Sequence, residues 1–148
     1  MAKNALKLVH DQKLKQVSNA LQAYQKAKNI LFEQRQQLQN LQQYRRQYAE
    51  QLSVKGAQGL TVSELRKYQQ FIVQIDQTLS TQQQGLIKFE YDVHAHKKLW
   101  LESQISCKAI AMLLQKKALK EAQKADKQEQ KLLDEFSNFQ YFHKRSQL

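Results

Sequence analysis

The chain has 148 residues and a net charge of +11, from 24 basic and 13 acidic residues. With 41% apolar residues, a mean hydropathy of −0.75, three Gly and no Pro, it lacks material for a multilayered core and for the turns of a β fold. The longest apolar run is Ala109 to Leu114, far short of the roughly 18 residues that span a membrane. No apolar segment follows the start, so no signal peptide is expected. The single cysteine, Cys107, excludes an internal disulfide framework and fits a reducing compartment.

The charge is unevenly placed. Residues 1–55 carry ten Lys/Arg against three Asp/Glu, residues 56–90 three of each, and residues 91–148 eleven against seven. Both ends are therefore basic and the middle is neutral, a pattern that draws acidic partners to the ends. Few aromatics interleave the basic stretches and no Gly-rich phosphate loop is present, which weakens a nucleic-acid reading.

In chain order, the first element is a helix over about residues 4–53. Its apolar row is Leu14, Val17, Leu21 and Tyr24, then Leu31, Leu38, Leu41, Tyr48 and Leu52, with Lys28 and Arg35 read onto intervening seam positions. Steps of three and four put such a row on one stripe of a helix, the pattern of a left-handed coiled coil. Ser53 to Leu60 then holds the only close Gly pair, Gly56 and Gly59, and residues 54–60 are read as the loop. Thr61 has the chemistry of a helix N-cap, and Glu64 three residues on completes a capping box. Leu60 and Leu65 are placed to staple that start.

The second helix is expected over about residues 61–140. Its row runs Leu65, Tyr68, Ile72, Ile75, Leu79, Gln82, Leu86, Phe89, Val93, His96, Trp100, Ser103, Cys107, Ile110 and Leu114. A short loop makes the two helices antiparallel neighbours. The fold class is thus all-α: one long antiparallel two-helix coiled-coil hairpin over residues 1–148, the second helix longer than the first. Folding back some 50 residues covers the second helix to about residue 115, so residues 116–148 should overhang. Gly85 is the one weak point inside it, at about 1 kcal/mol relative to Ala.

A hairpin that buries one stripe per helix has no third layer from which to enclose an active site, so no enzyme and no cofactor are expected. His94 and His96 are two apart on a helix and point away from each other, so they cannot share a metal. His96, Cys107 and Trp100 read as seam residues, His10 and His143 as solvated, and Asp134 and Glu135 as helix surface. Two features suggest recognition. Phe71 sits beside seam residue Ile72 and forms with Ile75, Thr78 and Gln82 a second stripe, which reads either as a small exposed strip on the charge-neutral stretch or as Phe71 folded over the edge of the seam. The second feature is the cluster Leu132, Leu133, Phe136, Phe139, Tyr141 and Phe142, strongly apolar where no hairpin partner should reach, which reads either as a helix bound in a partner's groove or pore or as a local cap against the start of the first helix.

At Tyr68-Gln69-Gln70-Phe71-Ile72 the chain is recognisable. With the hairpin layout and the Lys-rich tail ending in Leu133-Asp134-Glu135-Phe136, it resembles the FliJ family of the flagellar type III export apparatus. That resemblance implies a non-enzymatic coiled coil, similar to the central stalk of rotary ATPases, that binds the hexameric export ATPase with its paired ends. It also implies contacts with the cytoplasmic part of the membrane export gate and with export chaperones, and so a role in flagellar protein export, motility and chemotaxis. The expected location is cytoplasmic, peripheral at the inner membrane, without insertion. In the family the gate contact lies on the second helix; Phe71 and Ile75 match its apolar positions, while Thr78 and Gln82 are polar departures. The ATPase contact is placed, from charge and position at the ends, on Lys3, Lys7, Lys13, Lys117, Lys120, Lys124 and Phe136. Because the seam is used up within one hairpin, the free protein is expected to be monomeric. A basic coiled coil that binds nucleic acid is the alternative reading.

Overall fold

The computed structural model describes residues 2–146. It contains two helices, α1 (Ala2–Gln58, 57 residues) and α2 (Val62–Ser146, 85 residues), and no strand among the described residues. They form the expected antiparallel hairpin, with α2 the longer. Contacts group the chain into two units: Val17–Glu102, which contains the turn, and the residues up to Gln16 together with those from Ser103 onward.

The turn is shorter than the Gly pair suggested. α1 continues through residues 54–58, and only Gly59, Leu60 and Thr61 lie outside the helices. Gly59 adopts φ +100°, the left-handed conformation that an L side chain resists, and its N–H donates to the Gly56 carbonyl at 3.3 Å. Gly56 itself stays helical, because one helical Gly costs about 1 kcal/mol and does not by itself break a long helix. The capping box of α2 forms as read. The Glu64 N–H donates to Thr61 Oγ1 at 3.2 Å, and the Thr61 N–H donates to a Glu64 carboxylate oxygen at 3.3 Å. α2 also runs past residue 140 to Ser146, with His143, Lys144 and Arg145 in its last turn, where cations complement the helix dipole.

In the Val17–Glu102 unit the seam of α2 follows the predicted row from Tyr68 to Trp100, every member buried or half-buried. Leu65, 38% exposed, lies outside it. The α1 side needs correction. Its covered positions include Ala20, Ala27 and Gln34, whereas Lys28 and Arg35 are exposed. Between Tyr24, Leu31 and Leu38 the intervening step can be three or four. A small methyl or a neutral amide loses less on desolvation than an ammonium or guanidinium, so the charged alternatives turn outward. Arg35 then reaches Glu90 across the pair at 3.2 Å. Tyr24 stacks on Trp100 with ring centroids 5.7 Å apart, and Lys28 Nζ lies 4.5 Å from the Tyr24 centroid.

In the other unit, Leu6, His10 and Lys13 on α1 and Ser103, Cys107, Ile110, Leu114 and Lys117 on α2 are covered. Leu14, read as a seam residue, is 49% exposed, and His10, read as solvated, is half-buried. Lys3 Nζ pairs with Glu121 at 3.1 Å. The paired region therefore reaches residue 121 rather than 115, because α1 starts earlier and ends later than the pattern indicated. From Ala118 to Ser146 every residue is exposed.

Thr61→Ala removes one acceptor of the capping box and should destabilise the protein by about 1 kcal/mol. A thermal melt followed by circular dichroism checks this, and an unchanged midpoint would show that the box contributes nothing.

Candidate partner-binding surfaces

Near the turn, aromatic residues from both helices gather on one side of the seam. Phe71 lies 4.7 Å from Tyr48 and 6.2 Å from Tyr44, the latter edge-to-face, and Tyr48 lies 5.0 Å from Tyr68. Such ring pairs add about 0.5–1.5 kcal/mol each beyond the area they bury. Lys55 closes the cluster by donating from Nζ to the Tyr68 hydroxyl at 2.7 Å. That hydrogen bond, and after it the charge interaction with Tyr68, raises the Lys55 ammonium above its ordinary value of 10.5. The contact favours the folded state below that value and loses its effect as pH rises through the raised one. Arg45 caps the next turn with a two-pronged contact to Asp76, from Nε to Oδ1 and from Nη2 to Oδ2 at 3.2 Å. This hydrogen bonding raises the Arg45 guanidinium above its ordinary value.

These contacts rearrange the strip read along residues 71, 75, 78 and 82. Ile75 is 5% exposed and belongs to the seam with Leu79, so it presents no surface to a partner. Gln82 is half-buried, with Oε1 enclosed and without a hydrogen-bond partner. A polar atom left in that state costs about 1–3 kcal/mol. The seam is locally weakened there. Thr78 is exposed, its hydroxyl donating to the Gln74 carbonyl at 3.0 Å. Phe71 is half-buried, and the exposed apolar edge beside it comes from Tyr44 of α1, 47% exposed. The surface is therefore composite: Phe71 and Thr78 from one helix, Tyr44 from the other. Sequence reasoning missed Tyr44. The available signal was its spacing of four from Tyr48, but placing it beside Phe71 requires the register between the helices.

The basic candidates also separate. Lys7, Lys120 and Lys124 are exposed; Lys3 is exposed but paired with Glu121; Lys13 and Lys117 are half-buried on the seam. Phe136 is 59% exposed, in a run with Leu132, Leu133, Phe139, Tyr141 and Phe142 that are all at least 59% exposed. Phe139 stacks on His143 at 6.1 Å, and Tyr141 meets Phe142 edge-on. An apolar surface of this density on one helix exceeds the scattered exposure of ordinary surfaces. Elsewhere His94 is exposed, His96 half-buried, and Cys107 a buried free thiol. Among the described residues, no helix is long and apolar enough to cross a membrane.

Burial orders two substitutions. Ile75→Ala should cost about 2–4 kcal/mol, and Phe71→Ala, at a half-covered edge, about 1–2 kcal/mol. Chemical denaturation of the two variants tests this order; a larger loss for Phe71→Ala would mean that Phe71, not Ile75, is the seam residue.

The family model described as flagellar FliJ protein matches residues 2–146. No curated protein and no solved structure matches the chain.

Proposed function

The chain belongs to the FliJ family of flagellar proteins, non-catalytic components of flagellar export, and on that premise we propose that it binds the hexameric export ATPase in the manner of a central stalk. The observation that carries this reading is the exposed aromatic tail from Leu132 to Phe142, which lies beyond the Lys3–Glu121 ion pair. A helix with such a face is placed to fill an apolar groove or pore. Exposed lysines at positions 7, 120 and 124 accompany it and would steer an acidic lining toward it. Lys3, Lys13 and Lys117 act in this reading through the paired end of the hairpin rather than as free cations.

The same reading gives the chain a second contact, with the cytoplasmic part of the membrane export gate. Phe71 and Thr78 present that contact on α2, while Ile75 and Gln82 sit in the seam beneath it and hold the helix in position. Contacts with export chaperones complete the reading. In this reading the protein is a monomer when free and works in the cytoplasm, peripherally at the inner membrane, in support of export, motility and chemotaxis.

A pull-down of purified export ATPase by the full chain tests the central contact. Phe136→Ala combined with Lys120→Glu and Lys124→Glu leaves the seam untouched and should weaken capture about tenfold or more. Equal capture by the triple variant, with helicity unchanged, would remove the tail from the ATPase contact.

A further inference from the structure

The outer face of α2, opposite the seam, carries a second regular row. Ile105, Met112 and Leu119 follow one another at intervals of seven and are 70%, 59% and 60% exposed. Seven residues make almost two turns of helix, about 10.5 Å, so the three side chains form a single file along the most outward line. The covered seam residues Cys107, Ile110 and Leu114 occupy the other side of the same turns. In a helix that pairs only through its seam, this outward line is where polar residues are expected. An isolated exposed Leu needs no explanation, but three large apolar side chains in register on that line do.

The charge around the row says what fits it. Residues 103–120 contain four lysines and no Asp or Glu. Lys108 lies between Ile105 and Met112 on one side of the file, and Lys116 between Met112 and Leu119 on the other, both exposed. Ala109 leaves room between the first two large side chains. An apolar file with cations on both flanks is complementary to a helix that has its own apolar file and carboxylates on both flanks. A membrane surface fits less well. A helix lying in a lipid interface needs a broad apolar face, commonly with aromatic anchors, and this one is a single residue wide and has none.

We propose that the Ile105-Met112-Leu119 file is a docking ridge for an acidic amphipathic helix of a partner protein. The ridge shares no residue with the Phe136 tail or the Phe71 surface, so it supplies the chain with a contact of its own. Its apolar file sets the register of the bound helix, and Lys108 and Lys116 supply salt-sensitive attraction and orientation.

The probe is a labelled synthetic helical peptide with Leu at every seventh position and Glu on both flanks, titrated into the full-length protein. A peptide of identical composition in scrambled order is the control, and vesicles of zwitterionic lipid with and without anionic lipid form a separate arm. The patterned peptide should bind at least about tenfold more tightly than the scrambled one. The combined Ile105→Ser, Met112→Ser and Leu119→Ser variant should lose that preference, as should Lys108→Glu with Lys116→Glu. Both variants should retain helicity and export-ATPase capture, since neither changes the seam or the tail; this separates a failure of the ridge from a failure of the ATPase reading. Equal affinity for the two peptides, unchanged binding by both variants, or binding to anionic vesicles without preference for the patterned peptide would overturn the proposal.

Discussion

A narrow seam between a stretch of α1 and a stretch of α2 supports everything else in each of the two units. Each helix contributes one stripe, and the apolar residues that are buried among those described, Ala27, Leu31, Ile75, Leu79 and Cys107, all belong to it. None is fully enclosed. The free energy of folding is therefore spread over many half-covered side chains instead of a few deep ones. That arrangement suits helices whose Gln- and Lys-rich surfaces already favour the helical state. The three-residue turn at Gly59–Thr61 is what makes the pairing internal to one chain. It closes α1 with a left-handed glycine and opens α2 with a reciprocal cap, so part of the free polar groups at each of these helix ends is paired.

Because one stripe per helix is consumed, the remaining surface is free for recognition, and it is differentiated. Near the turn it is aromatic. On the outer line of α2 between residues 105 and 119 it is apolar and flanked by lysines. Beyond Glu121 it is aromatic with mixed charge. The seam is not uniform either. Gln34, Gln82, His96 and Ser103 interrupt its apolar positions, and the unpartnered Oε1 of Gln82 marks a place where pairing is locally weak. Polar residues at such positions lower stability and can fix the register between paired helices.

Much of the fold was legible because the second helix supplies a large side chain at almost every seam position, which leaves one register. The first helix supplies Ala at 20 and 27 and Gln at 34, and there the apolar pattern alone permits a shift of one. Only the cost of desolvating Lys28 and Arg35 decides between the two registers. The Thr61–Glu64 cap was readable from chemistry, but the end of α1 was not, since Gly56 tolerates the helix and only Gly59 requires the turn. The exposed tail was visible as apolar residues past the reach of the first helix. In the strip at 71, 75, 78 and 82, Ile75 and Gln82 fit both the stripe and the seam, and only burial shows that they face inward. Tyr44 and the outer ridge escaped notice because both are defined by where the seam is not.

Every surface described above requires that the two helices pair within one molecule. Arg35→Cys with Glu90→Cys, in a Cys107→Ser background, places two thiols where an exposed cross-helix ion pair now sits. Treated with a short bis-maleimide, this variant should give a linked product that runs as a monomer on a denaturing gel, in a yield independent of protein concentration. Dimeric products whose yield rises with concentration would show that the helices pair between chains, and would contradict the hairpin.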